Sequence, residues 1–246
     1  MNSLITTMKF TLPVLIVIFM GVLIYSPAAK YDFVWDDEVH IVKNAYDTDI
    51  AEQGLEKYWL PHPKLLYAPL TYSIWALAKN FSLNEYGVLR PGIFHQLNII
   101  FHLVNTILIY LILLRLKLSR TGVFFGIIIF CFHPLQVEAV CWTSAFRTVF
   151  CGFWSFLSVY LYLLYLQCRR ANLIYYLSAF LCFGAALLSK PLAVILPLFL
   201  IFISRHIRKE SFLSALTRLI PFLIVSAIAI IFTMNNGEPV LNEIKP

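Results

Sequence analysis

Repeated apolar runs of about 20 residues constrain this chain more than any other feature, because a helix of that length crosses the hydrocarbon core of a bilayer. The sequence contains seven apolar runs, of 12 to 22 residues each, separated by polar segments. We therefore expect an all-α, multi-pass membrane protein whose residues 1–246 form one transmembrane domain. The expected spans are Phe10 to Ala28, Ile93 to Leu114, Thr121 to Phe132, Val149 to Leu166, Leu173 to Leu188, Leu192 to Ile203 and Phe212 to Thr233.

The composition agrees with a membrane protein and argues against a nucleic-acid-binding one. Hydrophobic residues make up 60% of the chain and charged residues only 13%, whereas soluble domains have about 25% charged residues. The net charge of +6 is explained by basic loops on one side of the membrane. The five cysteines lack metal-type spacing and lie mostly in apolar stretches, so we expect neither a zinc site nor a disulfide framework.

The loop charges predict the orientation. With a cytoplasmic N-terminus, ten basic residues lie on the inner side, and twelve of the thirteen acidic residues lie outside. This distribution follows the positive-inside rule. Seven spans then place the C-terminus outside. The expected membrane is a bacterial inner membrane or that of the endoplasmic reticulum.

The first outer loop, residues 29–90, is long enough to be an ordered cap. Its segment Leu65 to Phe81 is strongly apolar and rich in aromatic residues. If this segment crossed the bilayer, the later basic loops would all face outward, so we expect an interfacial or re-entrant helix. A second interfacial helix is expected over Asp49 to Tyr58.

The stretch Phe33 to Asn44 contains the side chains best suited to catalysis. Asp36 and Asp37 are adjacent, Glu38 and His40 follow, and apolar residues surround them. Carboxylates in apolar sequence beside a bilayer are costly to desolvate, which favours a functional role. The alternative is a hydrated loop whose acids simply face water.

Other polar residues lie on the second span and at the outer ends of later spans. His95, Asn98, His102 and Asn105 have helical spacing on one face, which fits either interhelical hydrogen bonding or a part in the site. The outer hairpin, residues 132–148, contains His133, Glu138 and Arg147. Arg147 and Lys190 could bind a lipid phosphate or could simply reach the membrane interface.

Four stretches together resemble a known family. They are Phe33-Val-Trp-Asp-Asp with Asn44, Ala68-Pro-Leu-Thr-Tyr with His95-Gln-Leu-Asn and His102, His133-Pro-Leu-Gln-Val-Glu-Ala-Val-Cys-Trp, and Leu188-Ser-Lys-Pro-Leu-Ala-Val-Ile-Leu-Pro. In order and spacing, over about residues 30 to 200, they resemble the membrane module of the tetratricopeptide-associated O-mannosyltransferase-like proteins, which belong to the GT-C class of glycosyltransferases.

The resemblance implies transfer of a mannose-like sugar from a polyprenyl- or dolichyl-phosphate carrier to a hydroxyl on the outer or lumenal face. An aspartate of the first outer loop would be the general base, which makes Asp36 and Asp37 the catalytic candidates. Arg147 and Lys190 would bind the donor phosphate, with Glu38, His95, His133 and Glu138 in supporting positions. The cofactor stays open, a divalent metal ion being one alternative.

Two departures from the family pattern keep a second hypothesis open. Relatives usually have an acid, Arg, Lys and Asp where this chain has Ala145, Phe146, Arg147 and Thr148. Family members also normally continue with more spans and helical repeats, so the chain resembles a truncated member. The alternative to an active enzyme is a catalytically degenerate module that acts as a structural subunit beside other membrane subunits.

The charge distribution generates a topology prediction. A cysteine introduced at position 45 should react with a membrane-impermeant maleimide in intact cells, and a cysteine at position 210 should react only after permeabilisation. The five natural cysteines would first be replaced by serine or alanine. Labelling of position 210 in intact cells would reverse the predicted orientation.

Overall fold

The computed structural model describes residues 2–44, 54–61, 65–168 and 172–236, with side chains from residue 12 to residue 235 of these ranges. Within them the chain is helical, and its only β-type pairing is an isolated bridge between Leu83 and Leu89. The helices are α1 (Asn2–Tyr25), α2 (Pro69–Ser82), α3 (Gly92–Arg115), α4 (Arg120–Phe132), α5 (Gln136–Cys141), α6 (Phe146–Gln167), α7 (Leu173–Ser189), α8 (Leu196–Arg208), α9 (Phe212–Arg218) and α10 (Ile220–Asn236).

Local sequence accounts for several helix ends. Ser119, Asn172 and Ser211 each accept a hydrogen bond from a backbone N–H in the first turn of α4, α7 and α9, which satisfies a donor that the helix itself leaves unpaired. Helix α8 ends at Arg208, and the next residue, Lys209, has a positive φ of 51°. Short 3-10 segments extend α1 through Ser26–Lys30 and precede α8 at Pro191–Ile195.

Four segments are long and apolar enough to cross a membrane, and the chain is accordingly a multi-pass membrane protein. The four are Leu12–Lys30, Gly92–Arg115, Thr143–Gln167 and Pro191–Arg208. A fifth is obtained if α9 and α10, which meet at an angle of 64°, form one broken span. These five coincide with five of the seven spans expected from the sequence.

The other two expected spans correspond to shorter apolar helices. Helix α4 has 13 residues and α7 has 17, or about 20 and 25 Å at 1.5 Å per residue. The hydrocarbon core is about 30 Å thick. Helix α4 ends before Pro134, which has no backbone N–H to continue it. The described residues therefore contain four or five helices of spanning length and not the seven that were expected.

The apolar segment of the first loop forms α2, which is 14 residues long and does not meet the criteria for a span. It packs beside the ends of two long helices. The Thr71 hydroxyl donates to the carbonyl of Ser189 at the end of α7, and Trp75 lies against Phe146 at the start of α6. Of the expected helix over Asp49 to Tyr58, residues 49–53 lie outside the described residues, and Glu56–Trp59 forms one 3-10 turn.

Three groups of buried side chains hold the helices together. One joins α6, α7, α8 and α10 around Tyr162, Phe183 and Phe222, and a second joins α1, α3 and α4. The third belongs to the cap and includes Ile41, Tyr72, Trp75, Phe94 and Phe146. Burying one large side chain of this third group contributes roughly 1.5–3 kcal/mol relative to leaving it in water. The third group therefore fixes the first outer loop onto α3 and α6.

Two glycines provide a matched test of this packing. A Cβ atom at Gly21 would lie 2.6 Å from Leu103 Cδ2 and 3.2 Å from Cys131 Sγ, whereas a Cβ at Gly184 would have no neighbour within 4 Å. Gly21→Leu should therefore overpack the contact of α1 with α3 and α4 and destabilise the protein by about 1–3 kcal/mol. Gly184→Leu should leave the melting temperature of the detergent-purified protein almost unchanged. Equal melting temperatures for the two variants would contradict this packing.

Candidate functional site

The Val34–Asp37 turn places the two adjacent aspartates in different surroundings. Asp37 is fully buried, and its two carboxylate oxygens accept hydrogen bonds from the backbone N–H groups of Val34 (2.9 Å) and Ser144 (2.8 Å). Asp36 is exposed. Asp37 therefore joins the first outer loop to the outer hairpin, while Asp36 stays accessible.

Trp35, between Val34 and Asp36, has a backbone conformation that bulky residues rarely adopt. Its φ is +51°, in the left-handed region that costs a non-glycine residue about 1–2 kcal/mol. Its indole ring is 77% exposed and contacts the Trp142 ring edge-on at a centroid distance of 5.5 Å. The turn is thus held in a strained form with an aromatic ring and a carboxylate on its exposed side.

The outer hairpin supplies the first of two neighbouring cations. Arg147 is half-buried at the start of α6, and its Nε donates to the Ser144 carbonyl at 3.4 Å. Ser144 thereby contacts Asp37 through its N–H and Arg147 through its carbonyl. His133 and Glu138 of the same hairpin are exposed, and His133 Nδ1 accepts from the backbone N–H of Leu135.

Lys190 is the second cation and lies after α7. Its Nζ donates to the Thr148 hydroxyl at 2.7 Å. Burial and the positive charge of Arg147 lower the pKa of Lys190, and the charge of Glu138 opposes this change in part. In the described residues neither cation forms an ion pair, so an anion placed between them would relieve a repulsion that Glu138 offsets only in part.

His40 adds a neutral imidazole to the same region. It is buried in the π-helical turn Glu38–Val42, and its Nδ1 lies 3.2 Å from the Tyr72 hydroxyl. Burial, and then the charge of Arg147, lower the pKa of His40 to about 4, although Asp36 and Asp37 act in the opposite direction. The sequence showed His40 only as a neighbour of the carboxylates, because its burial depends on α2.

Glu38 is not part of this cluster. Its carboxylate forms an ion pair with Lys43 at 2.8 Å, and both side chains are largely exposed. Exposed pairs of this kind contribute little stability. Of the residues predicted from the sequence, the structure connects Asp37 with Arg147 through Ser144, and Lys190 lies within electrostatic reach of Arg147 and Glu138. Asp36 lies near the buried His40, and Glu38 stays at the surface.

Three residues of the polar stripe on α3 donate to or contact backbone carbonyls of neighbouring elements. The Asn98 side-chain amide donates to the carbonyls of Ala139 and Trp142, and that of Asn105 donates to the carbonyl of Val149. His102 Nε2 lies 3.1 Å from the carbonyl of Cys131, which also accepts from the Tyr25 hydroxyl. These contacts fix the outer hairpin and α6 against α3.

His95, the fourth residue of the stripe, is different. It is buried near Asp37, and neither ring nitrogen has a partner with hydrogen-bond geometry. A buried polar group without a partner is costly. His95 is therefore a buried imidazole near Asp37, with backbone groups of Tyr31, Asp32 and Cys141 close to its ring.

A lateral groove extends from the cations into the helical bundle. Its volume is about 540 Å³, and its lining is mostly apolar, with polar side chains at His102, Asn105, Gln136, Thr148 and Ser155. Thr148 and Gln136 provide polar groups near one end, and Ile112 and Ile203 lie farther along. Because Thr148 accepts the hydrogen bond from Lys190, the groove and the cation pair adjoin.

Groups of at least three His, Cys, Asp or Glu side chains that could hold a metal ion are absent from the part of the chain that is described. This absence concerns only the described residues, so the expectation of no zinc site stays a prediction. Comparison with family models, with curated proteins and with solved structures finds no match for this chain.

The surroundings of His40 generate a prediction about acid stability. Between pH 6.5 and about 4 the unfolded chain binds a proton at this imidazole and the folded chain does not, so acidification favours unfolding across that window. His40→Gln removes the titration and keeps a polar side chain. We expect the melting temperature of the wild type to fall more steeply than that of His40→Gln from pH 6.5 to 4. Parallel curves would contradict the assigned environment.

Proposed function

We propose that this protein is a membrane glycosyltransferase of the GT-C type, which transfers a mannose-like sugar from a polyprenyl- or dolichyl-phosphate carrier to a hydroxyl acceptor. The observation that carries the proposal is the junction of an apolar groove with two cations at Thr148 and Lys190. Arg147 and Lys190 form no ion pair within the described residues, and Asp37, next to the exposed Asp36, binds Ser144 of the same hairpin.

The groove suits the hydrocarbon part of such a donor. Along α6, its lining runs from Thr148 to Val159, a rise of about 16 Å at 1.5 Å per residue. An apolar chain entering sideways from the bilayer would follow α6 and α8 and leave its phosphate at the polar end. Sites for small ligands commonly combine such an apolar lining with a few polar groups.

The cation pair suits the phosphate. Arg147 offers a guanidinium that matches phosphate oxygens, and Lys190 offers a compact ammonium group. As the sugar leaves the carrier, negative charge increases on the phosphate, and the two cations would stabilise it there. A carboxylate of the Asp36–Asp37 pair would accept the proton of the acceptor hydroxyl.

The proposal includes the topology expected from the sequence, with seven crossings, a cytoplasmic N-terminus and an outer C-terminus. Helices α4 and α7 would cross as short helices, since bilayers thin locally around short spans. The cap with α2 would lie on the outer side beside the cation pair. The partners would be membrane lipid and a polyprenyl-phosphate sugar.

The second candidate function is that of a catalytically degenerate module acting as a subunit of a larger membrane complex. Positions 145 and 146, where related sequences carry an acid and Arg, are Ala145 and Phe146 here, and both are buried. Phe146 belongs to the core of the cap. The substitution has therefore replaced polar groups by packing, which favours a structural role in this part of the hairpin.

The two functions are separated by a transfer assay on the full chain in lipid nanodiscs. We expect transfer of labelled mannose from a polyprenyl-phosphate donor to a hydroxyl acceptor. Lys190→Gln should raise the donor KM about 10- to 100-fold, because it removes a hydrogen bond to a charged group worth about 1.5–3 kcal/mol. Lys30→Gln is the control. Lys30 is an exposed lysine at the start of the first outer loop, so this substitution should leave the donor KM unchanged.

Each alternative result has a definite reading. A wild type that transfers no sugar from any donor tested, and that purifies in a stoichiometric complex, would favour the subunit function. An active wild type with an unchanged donor KM in Lys190→Gln would reject the phosphate site and keep the enzyme.

A further inference from the structure

The two aspartates differ in what their oxygens already bind. Both oxygens of Asp37 accept backbone hydrogen bonds, and the side chain has no exposed surface. Because its side chain has no exposed surface, an acceptor hydroxyl cannot reach the Asp37 carboxylate in this structure. Asp36 is exposed and forms no ion pair within the described residues.

Asp37 also determines the shape of the turn that carries Asp36. The backbone N–H of Asp37 donates to the Val34 carbonyl at 3.1 Å, while its side chain accepts from the Val34 N–H. The turn is therefore closed from both directions. The positive φ of Trp35 lies inside this closed turn, and such strained conformations persist only where surrounding contacts enforce them.

The contact with Ser144 connects the turn to the cations. Ser144 donates its N–H to Asp37 and accepts from Arg147 Nε through its carbonyl. One residue of the hairpin thus lies between the turn and the guanidinium. The position of Asp36 relative to Arg147 and Lys190 consequently depends on Asp37.

We propose that Asp37 is a positioning residue and that Asp36 is the carboxylate that takes part in the reaction. This inference rests on the proposed transferase function. As the acceptor oxygen forms its bond to the anomeric carbon, its proton passes to Asp36. The bond between the anomeric carbon and the phosphate oxygen breaks, and the carrier phosphate leaves with the electron pair toward Arg147 and Lys190.

An asparagine separates the two roles because its effect differs at each position. At position 36, Asn removes the proton acceptor and leaves the turn closed. At position 37, one oxygen of the carboxylate becomes an NH₂ group, which would face the N–H of Val34 or Ser144. Two donors cannot form a hydrogen bond to each other, so Asp37→Asn should open the connection between the turn and the hairpin.

The first measurement does not require activity. Hydrogen exchange followed by mass spectrometry on the full chain in nanodiscs reports the amides of Val34 and Ser144. We expect both to exchange faster in Asp37→Asn than in the wild type, by 10-fold or more, and to be unchanged in Asp36→Asn. Unchanged exchange at Ser144 in Asp37→Asn would overturn the positioning role.

The second measurement is the dependence of kcat on pH. Wild type should lose activity on the acid side as the base is protonated. Asp36→Asn should lower kcat by about 10²-fold or more and abolish that acid limb. Asp37→Asn should also lower kcat but keep the limb. An acid limb that survives in Asp36→Asn and disappears in Asp37→Asn would exchange the two roles.

The two measurements fail independently. If the wild type transfers no sugar, the transferase function and the role of Asp36 are both rejected, and hydrogen exchange still decides whether Asp37 holds the turn. If transfer occurs with normal exchange in Asp37→Asn, the function stands and the positioning role is rejected.

Discussion

The carboxylate of Asp37 is the contact on which the arrangement of the outer side depends. It joins residues 107 positions apart, from the first outer loop to the hairpin before α6. A buried charge is tolerated only when hydrogen bonds replace the water that it loses, and here two backbone N–H groups supply them. The same carboxylate closes the strained turn at Trp35, beside the exposed Asp36, and Ser144, which binds it, also accepts from Arg147.

Much of the architecture could be predicted because hydrophobicity is local information. The helical character and the approximate position of each apolar helix follow from the sequence pattern, and the spans at α1, α3, α6 and α8 have spanning length in the structure. The number of crossings could not be settled in the same way. Hydropathy does not fix where Pro134 ends α4, nor how sharply α9 bends from α10.

The charge pattern predicts one site for Asp36, Asp37, Arg147 and Lys190, and the structure connects Asp37 with Arg147 through Ser144. The different environments of the two aspartates were not predicted. Adjacent aspartates are identical in sequence terms, and only the backbone geometry at residues 34–37 directs one inward and the other outward. The groove was also hidden, since its lining comes from five helices and a 3-10 turn that lie far apart in the chain.

The long sequence separation of the Asp37 contact has a consequence for biosynthesis. A ribosome adds about 5–20 residues per second, so Ser144 follows Asp37 by about 5–20 s. Through that interval the Asp37 carboxylate has no Ser144 N–H to accept from and must keep its water. Lys190 emerges later still, so the candidate site is assembled only after residue 190 has been synthesised, and an earlier chain carries its acidic turn without the neighbouring cation pair.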